Sequence, residues 1–272
     1  MNKSICASSF PVPLESAEGA DRARQAGFTA FEPMLAGSGE LTPTTGEAAC
    51  RALGEQIRDT GLEIAGVTCD LFWKTTFTSP DPAIRQAARD LTNACLERAR
   101  WLGAPVLHVL PGVVAHRDAP HRPRAAYADA LAYAGDAFRQ LAFEAEAYGV
   151  VLGLRNAWNQ FLLSPVEMRE FVDRISSRWV GVSLDVGAVM RYGVPADWID
   201  HLGRRIVRVH VRDFKLSVGT ADGFCLPGDG DVDWLAVLAA LDRIGYDGPL
   251  TYLGPGDPAE AARRLDRLGT AG

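Results

Sequence analysis

Short apolar runs and longer amphipathic segments alternate along the whole chain. The short runs are rich in β-branched and aliphatic residues and occupy residues 4–7, 29–32, 63–68, 106–110, 150–154, 180–184, 206–211 and 249–253. The longer segments repeat their apolar residues at helical spacing and occupy residues 17–26, 46–60, 82–102, 124–148, 165–175, 198–202, 234–244 and 258–268. The pattern therefore predicts eight strands, each followed by a helix.

Capping residues support these boundaries. Ser164 and Pro165, with Glu167 following, have the sequence of a helix start, because a hydroxyl caps the first turn and proline suits the first helical position. Glycine follows five of the predicted helices, where a left-handed residue ends a helix at least cost: Gly27, Gly61, Gly103, Gly149 and Gly245.

Eight strand–helix units in 272 residues predict an α/β fold, a (β/α)8 TIM barrel that forms a single domain over residues 1–272. A doubly wound sheet is the competing architecture. That fold uses a glycine-rich turn after its first strand to bind phosphate, and here the turn reads Ser8-Ser9-Phe10-Pro11. The barrel is therefore favoured.

The composition narrows the function. A net charge of −6 gives no basic groove for nucleic acid and no polybasic patch for a membrane surface. No apolar run approaches the ~20 residues that span a bilayer. Five cysteines lack paired spacing and no signal peptide is recognisable, which favours reduced thiols and a cytoplasmic location: Cys6, Cys50, Cys69, Cys95 and Cys225.

Polar side chains end several predicted strands, where barrel enzymes carry their chemistry. They are Glu32, Asp70, Lys74, His108, Arg155, Asn156, Asp185, His210, Arg212 and Asp213. Period-two alternation places Arg155, Asp185 and His210 on inner strand faces, so we expect them to converge over the barrel mouth. Each has an ordinary alternative: a helix cap for the aspartate, a core position for the histidine and a surface ion pair for the arginine.

Two other metal patterns are weaker. Residues 229–233 resemble the start of a calcium loop, but Trp234 and Ala240 stand where that loop needs glycine and glutamate. His108, His116 and His121 could suit a metal by spacing, yet the last two lie in a segment rich in proline and arginine, which favours a solvated loop.

Several segments resemble the sugar phosphate isomerase/epimerase family, of the hexulose-6-phosphate isomerase and ketose 3-epimerase type. They read LRNAWNQFLLSP at 154–165, LDVG at 184–187, YGVP at 192–195, RIVRVHVRDFK at 205–215 and GYDG at 245–248. The resemblance runs from about residue 27 to residue 253 and implies a xylose isomerase-like TIM barrel.

The resemblance also implies a site from which half the metal ligands are missing. In the family, a glutamate on strand five, an aspartate, a histidine and a second glutamate on strand eight bind a divalent metal, and the glutamates move a proton beside a carbonyl. Asp185 and His210 match two of these ligands. Arg155 and Leu253 stand at the glutamate positions, and Ala188 replaces a usual asparagine. We therefore expect no metal and no other cofactor.

Our leading hypothesis is a metal-independent enzyme in which Arg155 supplies the missing positive charge. Arg155 would pair with Asp185 in the empty enzyme and with substrate oxygens in the substrate complex, while Asp185 and His210 act as acid and base. Further residues are expected to bind a small polar metabolite: Asn156, Trp158, Asn159, Glu32, His108, Arg212 and Lys215. The chemistry would be isomerisation, epimerisation, dehydration or cyclisation beside a carbonyl, by analogy in a specialised biosynthetic pathway.

Two alternatives stay open. One is an ordinary metal-dependent ketose or ketose-phosphate isomerase or epimerase, with Glu32 or His108 as replacement ligands. The other is a non-catalytic binding protein on the same fold. A small molecule is the expected partner in the enzymatic readings, and barrels of this kind often form homodimers.

Overall fold

In the computed structural model, residues 2–119, 122 and 124–268 are described. Ten parallel segments form one sheet in the order β3-β5-β6-β7-β8-β9-β12-β1-β2-β4. They are β1 (Lys3–Cys6), β2 (Ala30–Glu32), β3 (Met34–Leu35), β4 (Glu63–Ile64), β5 (Val67–Cys69), β6 (Val106–Val109), β7 (Val151–Arg155), β8 (Val180–Asp185), β9 (Ile206–Val211) and β12 (Leu250–Tyr252). An antiparallel hairpin of β10 (Asp213–Phe214) and β11 (Phe224–Cys225) stands apart from it.

The sheet closes on itself, although two of the barrel strands are interrupted and the strand order therefore has two ends. β2 and β3 are halves of the second strand, separated by Pro33, and β4 and β5 are halves of the third. β2 pairs with β4, β3 pairs with β5, and the Thr68 amide donates to the Pro33 carbonyl between them. The two ends of the strand order therefore lie side by side, which confirms the predicted eight-stranded barrel.

Helices surround the strands in the predicted order. They are α1 (Ser16–Ala26), α2 (Glu47–Asp59), α3 (Pro82–Leu102), α4 (Tyr127–Tyr148), α5 (Pro165–Ile175), α6 (Val186–Val189), α7 (Pro195–Leu202), α8 (Trp234–Arg243) and α9 (Pro258–Leu268). The Ser164 hydroxyl accepts a hydrogen bond from the Glu167 amide at 3.2 Å, as its capping sequence predicts. The single-domain organisation and the homodimer stay predictions.

Three helix features differ from the sequence-based prediction. α4 begins at Tyr127, three residues later than expected, because Ala126 is still extended. α7 begins at Pro195, earlier than expected, since a proline at the first helical position needs no amide partner. The short α6 follows directly on β8, and Asp185 caps it by accepting from the Ala188 amide at 3.0 Å.

A β-bulge between β8 and β9 aligns the functional ends of these two strands. Val182 pairs with Ile206, but the next residue, Ser183, pairs with Arg208, so β9 contributes one extra residue. Beyond the bulge Asp185 lies opposite His210. Both side chains are fully buried, on the strand faces that the alternation predicts.

Candidate functional site

A cavity of about 770 Å³ opens at the C-terminal end of the barrel. Residues at or just beyond the strand ends line it, including Ser8, Cys69, Leu110, Ala157, Ala188 and Arg212. Catalytic sites of TIM barrels occupy this face, and the volume is typical of a small-molecule site.

Arg155, Asp185 and Arg212 form the charged group beside this cavity. Arg212 binds the Asp185 carboxylate through two hydrogen bonds, Nε to Oδ1 at 3.1 Å and Nη2 to Oδ2 at 2.6 Å. Arg155 Nη2 lies 3.9 Å from Asp185 Oδ2, beyond hydrogen-bond distance. The expected ion pair of Arg155 and Asp185 is present at this longer distance, and Arg212, which was not expected to pair with Asp185, is the closer partner.

Arg155 is consequently the arginine with unsatisfied donors. Its Nε is buried and has no hydrogen-bond partner within the described part of the chain, while 21% of its side chain is exposed and lines the cavity. Burial lowers the pKa of Arg155 below its ordinary value, but a guanidinium keeps its proton at neutral pH. A charged fork with an unused N–H beside a cavity favours binding of an anion.

Asp185 is held as an anion. Burial alone raises its pKa, but the charges of Arg212 and Arg155 outweigh burial and hold the pKa of Asp185 below its ordinary value. Its oxygens accept from Arg212 and from the Ala188 amide. Asp185 is thus the counter-ion of two guanidinium groups, and it can take up a proton only after Arg212 withdraws.

Behind this group, a second network joins side chains from four strands, β2, β6, β8 and β9. Glu32 Oε1 accepts from His210 Nε2 at 2.8 Å, and Glu32 Oε2 lies 3.1 Å from His108 Nε2. His108 Nδ1 is 2.7 Å from Ser183 Oγ. All four residues are buried. The two imidazole rings also contact each other, with centroids 4.6 Å apart.

The charge of Glu32 decides which nitrogens carry protons. Burial raises its pKa, but the two histidines reverse this and leave the pKa of Glu32 well below its ordinary value. An ionised carboxylate can only accept, so Nε2 of His210 is a donor. Burial lowers the pKa of His108 to about 4, which keeps that ring neutral at physiological pH.

His210 Nδ1 is left without a partner. It is a buried nitrogen with no hydrogen bond to any residue that the structure describes, while a carboxylate orients the opposite side of the ring. A histidine used as a general base has this arrangement, with one nitrogen fixed by a carboxylate and the other free to accept. The side chain is fully buried and does not line the cavity, so a substrate reaches Nδ1 only if the side chains above it move.

Two glycines make room for the network. A Cβ at Gly66 would lie 2.6 Å from His108 Nε2, and one at Gly153 would lie 2.1 Å from Ser183 Oγ. Neither contact is sterically possible. The backbone at these two positions must therefore be free of a side chain for His108 and Ser183 to meet inside the barrel.

The remaining predicted site residues divide into three groups. Trp158 lines the cavity, stacks on Phe224 with ring centroids 4.9 Å apart and donates to the Ala188 carbonyl. Asn156 and Asn159 are buried and bind backbone groups of Asp185 and Gly112, so they support the site from behind. Lys215 is exposed and is not among the residues that line the cavity, which corrects its expected place there.

Asp213 is one of the polar residues at the strand ends but was not among the predicted site residues; it holds the loop that follows β10. It is fully buried and accepts four hydrogen bonds, from the amides of Phe214, Gly228 and Val232 and from Trp234 Nε1. This loop carries Phe224 into the cavity wall. The buried carboxylate therefore fixes an aromatic wall of the site, a role that only its many amide donors reveal.

Asp70 is likewise a polar residue at a strand end that was not among the predicted site residues. Among the described residues that line the cavity, Asp70 is the one carboxylate, and it is exposed. It directly follows the third barrel strand, and this position was the one feature of the sequence that indicated a place in the site.

The residues at the family's metal position do not fit a metal. Arg155 and Leu253 cannot ligate a cation, and Asp185 is already bound by a guanidinium. A second donor set lies deeper, where Glu32, His108 and His210 each offer one atom within 4.8 Å of the others. Carboxylate and imidazole ligands suit a borderline dication such as zinc.

The histidine pattern of the loop after β6 does not form a metal cluster among the described residues. The His116 ring contacts Trp73, with centroids 5.1 Å apart, and its Nδ1 lies 3.3 Å from Asp118. His121 lies outside the described residues. Within the described ranges, no helix is both long enough and apolar enough to cross a bilayer.

Comparisons with known proteins agree with this architecture. The "Putative L-ribulose-5-phosphate 3-epimerase SgbU" of Escherichia coli K12 is 27% identical over 196 residues, which cover 70% of this chain and 65% of that protein. The chain thus spans slightly less than two thirds of this curated relative.

Solved structures share the fold over nearly the whole chain. D-Psicose 3-epimerase of Clostridium cellulolyticum H10, solved with D-tagatose, is 18% identical with a TM-score of 0.79, covering 100% of this chain and 92% of that chain. An L-ribulose 3-epimerase is 19% identical with a TM-score of 0.80, covering 99% and 94%. The family model described as "Xylose isomerase-like TIM barrel" matches residues 20–268. The chain therefore belongs to the xylose isomerase-like TIM barrel family.

Proposed function

We propose that the chain is an isomerase- or epimerase-type enzyme that moves a proton beside a carbonyl group and uses Arg155 where its relatives would use a metal. One observation carries the proposal: the Arg155 side chain lines the cavity and its buried Nε has no hydrogen-bond partner among the described residues, while the neighbouring Arg212 is neutralised by Asp185. A fixed guanidinium can stabilise the negative charge that develops on a carbonyl oxygen when a neighbouring proton leaves.

His210 is the proton acceptor in this proposal. Its Nδ1 is free and its Nε2 is fixed by Glu32, which stabilises the ring when it becomes positively charged. Asp185 keeps Arg155 and Arg212 in place and becomes the second acid/base group only if Arg212 moves to the substrate. The relatives' names, which include epimerases acting on ribulose and psicose, support proton transfer of this kind.

The reaction can be isomerisation, epimerisation, dehydration or cyclisation, since each begins by removing a proton beside a carbonyl. We also propose, by analogy and from the altered ligand set, that the enzyme acts in a specialised biosynthetic pathway. The carbonyl oxygen binds Arg155 and the departing proton goes to His210, so no metal and no redox cofactor enters any step.

Exchange of substrate protons with solvent tests this function. The protein is incubated in D₂O with ketoses, ketose phosphates and 2-oxo acids, and deuterium incorporation is followed by NMR. We expect Arg155→Met and His210→Gln to reduce exchange by a factor of about 10² to 10⁴. Arg243→Met, which removes an equal charge from a surface ion pair with Asp200, should leave exchange unchanged. Full exchange in His210→Gln would disprove the assignment of the base.

A metal-dependent isomerase is the second candidate, and the cluster of Glu32, His108 and His210 favours it. Elemental analysis of protein purified without chelator separates the two. The first proposal requires substoichiometric metal and full activity in EDTA. One tightly bound zinc, manganese, cobalt or iron per chain, lost in Glu32→Gln, would overturn it and support the second.

A further inference from the structure

We propose that the substrate is a carboxylate with an apolar or aromatic body and not a polyhydroxylated ketose. This inference rests on the proposed function for the reaction but on different observations for the ligand: the charge, the free hydrogen-bonding groups and the apolar surface of the cavity wall.

One guanidinium group of the wall is available for an anionic ligand group, although the wall also carries the exposed carboxylate of Asp70. Three arginines line the cavity. Arg212 is neutralised by Asp185 at 2.6 Å, and Arg117 lies 3.4 Å from the Asp118 carboxylate. Arg155 remains, with a buried Nε that no described residue satisfies. A carboxylate can accept two parallel hydrogen bonds from such a planar fork, and its single negative charge matches a single arginine, whereas a phosphate monoester carries a charge of about −1.5 to −2.

Several neutral polar side chains of the wall already have partners within the protein. The Ser9 hydroxyl donates to the Tyr252 carbonyl and accepts from the Gly254 amide, both at 3.2 Å. Ser8 and Thr68 both contact the Cys6 thiol, at 3.2 and 3.6 Å.

His108 uses Nδ1 for Ser183, and its Nε2 lies 3.1 Å from a Glu32 oxygen. Apart from the arginines, few side-chain groups of the described wall are therefore left for ligand hydroxyls: the exposed Ser8 hydroxyl, the Trp73 indole N–H and the Asp70 carboxylate.

This wall offers few hydrogen-bond partners to the hydroxyl groups of a ketohexose or a pentulose. Each sugar hydroxyl that loses water and finds no partner costs about 1–3 kcal/mol. A sugar bearing four or five hydroxyls would therefore lose several kcal/mol on entering. A molecule with one charged end and few hydroxyls does not meet this penalty.

The rest of the wall is apolar and aromatic. Its larger side chains are Phe10, Met34, Trp73, Leu110, Phe224 and Leu253. Trp158 and Phe224 stack at an interplanar angle of 26°, and the Arg212 guanidinium covers the Phe224 ring at 3.4 Å from its centroid. Burying apolar ligand surface against these side chains contributes about 25 cal/mol per Å². An aryl or branched aliphatic group is the body that this wall favours.

Binding measurements test the ligand class independently of turnover. We choose 3-phenylpropionate, which has the carboxylate and the aromatic body but no carbonyl group, and compare it with D-fructose, D-ribulose 5-phosphate and phenyl phosphate by calorimetry. We expect 3-phenylpropionate to bind at least tenfold more tightly than either sugar or phenyl phosphate. Arg155→Met should weaken 3-phenylpropionate at least tenfold, and Arg243→Met should not change its affinity.

Three outcomes would overturn the inference. They are tighter binding of either sugar than of 3-phenylpropionate, tighter binding of phenyl phosphate, or unchanged binding in a folded Arg155→Met variant. Phenylpyruvate, which adds the carbonyl, separates this inference from the proposed function. Binding of phenylpyruvate without deuterium exchange at its methylene group supports the ligand class and counts against the proposed reaction. Deuterium exchange on a ketose, with no binding of arylcarboxylates, supports the proposed reaction and counts against the ligand class.

Discussion

Asp185→Asn is the substitution whose effect the structure defines most closely. The Asp185 carboxylate is fully buried, binds Arg212 through both oxygens and lies 3.9 Å from Arg155. Replacing it with the isosteric amide keeps the volume and the oxygen that caps the Ala188 amide. The substitution removes one negative charge and leaves two guanidinium groups, exposed to only 17% and 21%, without their counter-ion.

The expected cost follows from burial. Removing one partner of a buried ion pair costs about 3–5 kcal/mol, because the remaining charge stays desolvated. We expect about 3 kcal/mol for Asp185→Asn, since the cap survives and both arginines retain partial contact with solvent. With a denaturant dependence of about 2–3 kcal/mol per molar urea, the midpoint of unfolding should fall by roughly 1 M.

The chain offers a matched control at its surface. Asp173 binds Arg205 with the same two-bond geometry, at 2.6 and 2.9 Å, but the two side chains are 48% and 30% exposed. Solvent screens such a pair, so Asp173→Asn should cost no more than about 1 kcal/mol. Urea denaturation followed by circular dichroism measures both variants. Equal losses of stability in the two would refute the argument that burial makes the Asp185 pair different.

Three further predictions concern other buried charges. Arg155→Met should raise the free energy of unfolding by up to about 1 kcal/mol while weakening the binding of 3-phenylpropionate at least tenfold, because it removes a poorly paired buried charge; a loss of stability in urea melts would contradict this. Asp213→Asn should cost about 2–4 kcal/mol and speed proteolysis of the loop after β10, because one amide cannot accept four hydrogen bonds; an unchanged digestion pattern would count against it. The third prediction concerns pH. Since burial lowers the pKa of His108 from 6.5 to about 4, the unfolded chain binds the extra proton between these values, and stability should fall as pH drops through that window by on the order of 3 kcal/mol. His108→Gln should remove most of that slope in denaturation curves measured from pH 7 to 4.

The sequence determined the order and kind of the barrel's elements. Period-two alternation identified the inward positions of Arg155, Asp185 and His210, and the capping sequence at Ser164 located the start of α5. These signals are local, since an apolar period or a cap depends on residues a few positions apart. Helix ends were less well predicted, as at Tyr127, because competing starts differ by only a fraction of a kcal/mol.

The tertiary structure decided which charges meet. Arg155 ends β7 and Arg212 directly follows β9, the two strands that flank β8, and nothing in their spacing along the chain shows that Arg212 is the closer partner of Asp185. The bulge in β9, which brings His210 opposite Asp185, has no local sequence signal of its own. Glu32 and His210 are 178 positions apart and meet only because the sheet closes. Distances across a closed barrel depend on register, strand tilt and the small residues that allow close approach, and these follow from the packing of the whole chain.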